Sequence, residues 1–228
     1  METSRVKVRG TGALGAVLFA AGATLLSACI APPPPPPQPV TYLLYGDSLS
    51  EQSAPYLAQH GTVGRDYFGG SAPCNWVSSL GGSRDSARVA PSVVLLQFVG
   101  NLPACMTGRD PTLGYEQDLT AIAQFWRTRG VPVVMVISPI TQAGDLLWAQ
   151  TAERTVASTL GLPVRDAGQA VLAGGVFTFF LPCSSPTEPG CGAEQPGEVR
   201  VRDPDGVHFD NPHGGYSAGG HRFGDAES

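Results

Sequence analysis

The stretch "YLLYGDSLSEQSAPYL", Tyr42 to Leu57, decides how the rest of the chain is read. A short apolar run closes in Gly46-Asp47-Ser48, and a segment of helical length follows. One reading of the triplet is a plain turn. The other is a nucleophilic serine held at the mouth of an α/β sheet, where a strand hands over to a helix. The segments on either side distinguish the two.

Downstream, strand-like and helix-like segments alternate. Thr41–Tyr45 reads as a buried strand, Leu49–His60 as a helix stopped by Gly61, and Gly61–Phe68 as holding a second strand. "APSVVLLQFVG", Ala90 to Gly100, is a continuous β-branched and apolar run without polar alternation. Such a strand is covered on both faces, as in a parallel sheet. Asp110-Pro111 opens a helix, with Asp suited to the N-cap and Pro to the first helical position. Tyr115, Leu119, Ile122 and Trp126 share one face of it, and Gly130 ends it. Val131–Ser138 is another buried strand, Trp148–Leu160 a helix and Leu162–Arg165 a short strand. This alternation implies βαβ crossovers and an α/β fold of three layers. Beyond Asp166 the pattern weakens: "GGVFTFFLPC" suggests another strand, and "SSPTEPGCGAEQPGE" is a loop.

Upstream lies a leader. Arg5, Lys7 and Arg9 precede an apolar stretch from Ala13 to Leu26, and Leu26-Ser27-Ala28-Cys29 follows. A basic start, a short apolar core and small residues describe a secretory signal over residues 1–28. The final tetrapeptide resembles the bacterial lipobox, which implies an acylated Cys29. Residues 29–40 then form a proline-rich linker. Six consecutive prolines favour polyproline II, and roughly ten such residues span about 30 Å. The expected domains are this leader, this linker and a single folded domain over 41–228.

The chain has 14 Lys+Arg and 19 Asp+Glu. Three of the former and one of the latter fall in residues 1–28, so the remainder carries 11 against 18, a net charge of −7, with no lysine. A nucleic-acid partner needs a basic face and is excluded on that ground. Any membrane attachment is then through the lipid anchor alone, on an exported protein of the cell envelope. Besides Cys29 there are Cys74, Cys105, Cys183 and Cys191, an even number that suggests two disulfides among three possible connectivities. No Cys-x-x-Cys pair is present, and neither a metal nor a cofactor is expected.

Sites in open α/β sheets form at the carboxyl ends of strands. Ser48 follows the first strand, Gly69-Gly70 the second and Gly100-Asn101 the third. Near the C-terminus, "DPDGVHF" places Asp205 three residues before His208, with Asp203 as a less well spaced carboxylate. Ester hydrolysis by serine needs an imidazole to take the hydroxyl proton and a carboxylate to fix its tautomer. It also needs donors for the oxyanion of the tetrahedral intermediate. Ser48, His208 and Asp205 supply the first set. The N–H groups of Ser48 and Gly70 and the side-chain amide of Asn101 supply the second. Asp47 is expected to hold the turn. His60, His213 and His221 have no such setting, and Trp76, six residues after Gly70, is a candidate to line the site.

These four blocks, "YGDSLS", "YFGGSAPCNW", "FVGNLPACM" and "DGVHF", in that order, resemble those of the SGNH (GDSL-type) hydrolases. The resemblance implies a flavodoxin-like α/β/α sandwich with a mostly parallel central sheet. It implies Ser48, Asp205 and His208 as catalytic residues and Ser48, Gly70 and Asn101 as the oxyanion hole. One departure stands out: the family often has Gly-x-Asn-Asp, and here Leu102 follows Asn101, leaving no orienting carboxylate. If Gly70 and Asn101 share one oxyanion hole, the loops bearing Cys74 and Cys105 converge. That favours a Cys74–Cys105 bond, with Cys183 left for Cys191. The implied activity is hydrolysis of O-acyl esters, acetyl groups on envelope carbohydrate first, by a monomer acting on a small-molecule or polysaccharide ester. O-acyl transfer, lysophospholipase or thioesterase action and a non-catalytic binding module on the same scaffold are the alternatives.

Overall fold

The computed structural model describes residues 39–80, 90–210 and 217–228. The leader, Cys29, the proline run and His213 lie outside the described residues. Within the unit Gln38–Ser228, five strands form one parallel sheet: β1 (Thr41–Gly46), β2 (Thr62–Tyr67), β3 (Val93–Gln97), β4 (Val133–Val136) and β5 (Val164–Arg165). Their order is β2-β1-β3-β4-β5, the doubly wound arrangement expected. Leu44 of β1 is in register with Arg65 on one side and Leu95 on the other. The chain leaves β1 outward to β2 and returns to the far side of β1 for β3. The carboxyl ends of β1 and β3 therefore flank the crevice where the strand order reverses, the place such sheets bind ligands.

Side chains alternate across the sheet and split the core in two. Leu43, Tyr45, Val94, Leu96 and Met135 pack under α3 (Pro111–Arg127) and α4 (Leu147–Leu160), against Leu119, Ile122 and Val156. Tyr42, Leu44, Leu95 and Val136 face the opposite layer, with Leu49 and Leu57 of α1 (Ser48–Leu57) and Phe223 of α5 (Ala218–Glu227). A short helix α2 (Cys74–Val77) follows β2. Two small hairpins, β6 (Leu172–Ala173) with β7 (Val176–Phe177) and β8 (Phe180–Pro182) with β9 (Glu198–Arg200), fill the weakly patterned region after Asp166. Among the described residues no helix is long and apolar enough to cross a membrane.

The expected elements stand, with shifted ends. The long third strand is hydrogen-bonded in the sheet only from Val93 to Gln97. Val131–Ser138 shortens in the same way to β4. The first helix begins at Ser48 itself and ends at Leu57, not His60. Gln59 and His60 donate to carbonyls three residues back, so the last turn tightens instead of continuing. Asp110 caps α3 as expected, accepting from Leu113 N–H at 2.9 Å.

The C-terminal helix α5 was not legible, because Gly219, Gly220 and Gly224 lower its helical propensity. They are there for space. A Cβ on Gly219 would lie 2.1 Å from the Val201 carbonyl oxygen, and one on Gly224 would lie 2.9 Å from the Ser53 carbonyl oxygen. Backbone-close packing of α5 on α1 and the β9 end needs those missing methyls. The β8–β9 connection is drawn onto the same helix: Arg222 Nε and Nη2 donate to Glu188 at 2.9 Å each.

Candidate active site

Gly-Asp-Ser is built residue by residue. Gly46 is still in β1, paired with Tyr67 and Gln97. It has no room for a side chain: a Cβ there would sit 1.7 Å from Ser50 Oγ. That hydroxyl donates to Gln97 Oε1, and Gln97 Nε2 donates to Ser138 Oγ at 2.5 Å. A buried polar chain thus ties α1 to the ends of β3 and β4.

Asp47 is the N-cap of α1, accepting from Leu49 N–H at 3.0 Å through Oδ1. Its other oxygen accepts from Val99 N–H at 2.5 Å and from Asn101 Nδ2 at 3.2 Å. The residue expected to hold one turn therefore joins the exits of β1 and β3. Burial pushes its carboxyl up to about 6, and the bonds from Val99 and Leu49 act against that rise. Behind it, burial also holds Glu153 of α4 well above the ordinary range. Glu153 Oε1 accepts from Phe98 N–H at 3.3 Å, while Oε2 has no partner among the described residues.

Ser48 opens α1 at the mouth of the crevice. His208 Nε2 lies 2.8 Å from Ser48 Oγ, and His208 Nδ1 lies 2.5 Å from Asp205 Oδ2. The tautomer that fits has Nδ1–H donating to the carboxylate and Nε2 accepting from the serine. Asp205 Oδ1 accepts from Val207 N–H at 2.8 Å and His208 N–H at 2.9 Å. Burial works against its ionisation, but the bonds from the His208 ring, Val207 and the His208 backbone outweigh it and hold the carboxyl below the ordinary range. Asp203 is not the partner; its carbonyl accepts from Gly206 N–H in the turn beneath.

Three anchors hold this loop, and none was read from the sequence. Gln52, one helical turn after Ser48, accepts from Phe209 N–H at 3.0 Å and donates to the Phe209 carbonyl at 3.1 Å. It therefore ties the nucleophile helix to the residue after the imidazole. Arg202 is fully buried and donates to the Val207 carbonyl at 2.7 Å and the Ile140 carbonyl at 3.1 Å. Burial lowers its guanidinium to about 10, and the charge of Asp205 works the other way. Gln142 N–H donates to the Gly206 carbonyl at 3.0 Å. Only Gln52 left a signal, since residues four apart share a helix face.

On the other side of Ser48, Gly70 has φ +79, a conformation that glycine adopts without strain. Its N–H and that of Ser48 bond to no other described residue. Asn101 differs from expectation. Its Nδ2 donates both to Asp47 and to the Ser71 carbonyl at 3.2 Å, so its two amide hydrogens are engaged, and it would have to turn to meet an oxyanion. Leu102 follows Asn101, and the Asn101 loop is held by Tyr115, whose hydroxyl donates to the Asn101 carbonyl at 2.7 Å. It is also held by a disulfide: Cys74 is bonded to Cys105, and Cys183 to Cys191. Two disulfides fit an oxidising, extracytoplasmic environment. Trp76 packs tilted against Phe68, ring centroids 5.4 Å apart, and edge-to-face with Tyr45. His60 and His221 both reach Asp225, away from this cluster.

No protein-family model and no curated protein matches the sequence. Solved structures do match its fold. An acetyl xylan esterase, AlAXEase, aligns with a TM-score of 0.56 at 16% identity, over 82% of this chain and 97% of that one. A GDSL-like lipase from Bacteroides thetaiotaomicron aligns at 0.54 and 13%, over 82% and 84%. A lipase/acylhydrolase from Enterococcus faecalis aligns at 0.53 and 14%, over 82% and 92%. The chain has the α/β fold of the SGNH hydrolases.

Proposed function

We propose that the chain is an exported serine esterase that hydrolyses O-acyl esters, with O-acetyl groups on cell-envelope carbohydrate as the first substrate class. The observation that carries this is the unbroken relay from Ser48 Oγ to His208 Nε2 and from His208 Nδ1 to Asp205, at 2.8 and 2.5 Å. A binding module on this scaffold has no use for that alignment. In the reaction, Ser48 Oγ gives its proton to His208 as it bonds to the ester carbonyl carbon, and Asp205 stabilises the resulting imidazolium. The N–H groups of Ser48 and Gly70, joined by the Asn101 amide once it turns from Ser71, meet the oxyanion. His208 then returns the proton to the leaving alkoxide, and water releases the acid by the reverse sequence. Export is supported by the leader and the two disulfides, and acylation of Cys29 by the lipobox resemblance. The name of the acetyl xylan esterase, whose fold this chain shares, supports acetyl groups on sugars.

A fluorophosphonate probe with peptide mapping, and a panel of 4-nitrophenyl esters of increasing acyl length, test the reading. Labelling at Ser48 and a preference for acetyl are expected. A wild-type protein that is neither labelled nor active on any ester would overturn it.

A further inference from the structure

The acid–base loop is braced by a buried charge. Arg202 follows β9 and is fully buried. Its Nη1 donates to the Val207 carbonyl at 2.7 Å and its Nη2 to the Ile140 carbonyl at 3.1 Å. Its Nε has no partner among the described residues. The rings of Phe177 and Phe209 lie 5.8 and 5.3 Å from its guanidinium carbon. A guanidinium taken out of water needs more compensation than two carbonyls supply, and the charge that acts on it is that of Asp205. The neighbouring cation, Arg200, is already paired with Glu194 at 2.7 Å.

The link from Arg202 to Asp205 runs through one peptide unit. The Val207 carbonyl that accepts from Arg202 and the His208 N–H are the two ends of the same peptide group. That N–H donates to Asp205 Oδ1 at 2.9 Å. A cation on the carbonyl end polarises the peptide, and its N–H becomes a stronger donor to the carboxylate. Val207 N–H also donates to Oδ1, at 2.8 Å. The carboxylate is thereby turned so that Oδ2 meets His208 Nδ1 at 2.5 Å. The other arm of the guanidinium ties the loop to the connection after β4 at Ile140. We infer that Arg202 is a positioning residue of the triad, which holds Asp205 ionised and oriented through the Val207–His208 peptide by means of its charge. The inference rests on Ser48, His208 and Asp205 acting as the proposed esterase.

A charge has an effect that packing lacks. The Asp205–His208 pair is faced by Asp47 at the head of α1, by Asp203 in the same loop and by Asp145 across the cleft after β4. These carboxylates favour a protonated imidazole, and Arg202 opposes it. Removing the positive charge therefore lets the pair keep its proton to higher pH. Arg202→Gln keeps a donor for the Val207 carbonyl without the charge, and Arg202→Lys keeps the charge. With 4-nitrophenyl acetate, Arg202→Gln should lower kcat about tenfold with KM little changed. It should also move the acid limb of kcat/KM upward by about half a pH unit or more. Arg202→Lys should stay within about threefold of the wild type, with the limb in place. Near-UV circular dichroism reports folding, and Arg202→Met supplies the neutral comparison if the Gln variant does not fold. An unmoved acid limb in the folded neutral variant, or equal impairment of the neutral and Lys variants, would overturn the inference and leave the esterase intact. A wild type inactive on every ester would overturn the esterase reading, and the positioning role with it.

Discussion

Replacing Gln52 by leucine probes how two distant parts of the chain are brought to one reacting distance. Ser48 and His208 belong to different elements, and Gln52 couples them by two hydrogen bonds to Phe209 at 3.0 and 3.1 Å. Each such bond contributes about 1 kcal/mol net, and an unpaired buried N–H costs about 1–3 kcal/mol. Gln52→Leu should therefore lower stability by roughly 1–3 kcal/mol, read as a shift in the urea midpoint. The kinetic effect should be larger than that of a generic loss of stability. A misplacement of about 1 Å costs on the order of 10²-fold in rate, so kcat on 4-nitrophenyl acetate should drop about 10- to 100-fold with KM little changed. The acid–base pair is closed within its own loop, so the downfield proton resonance of His208 Nδ1–H should survive. Gln52→Glu keeps an acceptor for Phe209 N–H but loses the donor to its carbonyl, and should fall between the two. A lowered urea midpoint with wild-type kcat would refute the positioning role.

Three further outcomes are expected. Ser48→Ala and His208→Ala should each remove about 10³-fold or more of kcat, without adding when combined, and Asp205→Asn should be impaired similarly or less. Near-native turnover by Ser48→Ala would sink the mechanism. Mild reduction should lower kcat before the domain unfolds, because Cys74–Cys105 holds the Gly70 and Asn101 loops together; loss of fluorescence-monitored tertiary structure in step with activity would contradict this. Glu227 is buried, with only Ser53 Oγ donating to it among the described residues, and burial raises its carboxyl to about 8. A folded-state value above the unfolded one means its stability contribution is complete below about 4.5 and is lost as pH rises towards 8. The effect is on the order of a few kcal/mol, and Glu227→Gln should flatten urea midpoints measured from pH 5 to 8.5.

The parts of this molecule that were readable in the sequence are those whose chemistry is local. The alternation from Thr41 to Arg165 identified the layers because the central strands β1, β3 and β4 are almost wholly buried and the helices α3 and α4 each have one apolar face. Gly-Asp-Ser and Asp-x-x-His were readable because each packs its function into three or four consecutive residues. What was not readable depends on distance. Tyr115 fits the apolar stripe of α3 and gives no hint that its hydroxyl ends on Asn101. Arg202 looks like any charged residue beside a hairpin, yet it is buried under the acid–base loop. Asp47 was assigned one turn and turned out to bridge two strand exits. Asn101 was assigned to the oxyanion, but its amide donates to Asp47 and Ser71.

The glycine face of α5 has a consequence for how variation can reach the active site. At Gly220 and Gly224 it comes close to the α1 backbone, where an added Cβ would lie 2.9 Å from the Gln52 and Ser53 carbonyl oxygens. A methyl added at Gly224 has nowhere to go but into the segment Ser53–Leu57, and the other end of that helix is Ser48. Drift at the C-terminus is thereby converted into displacement of the nucleophile, and the tail of the chain is subject to the same steric veto as the serine it never touches.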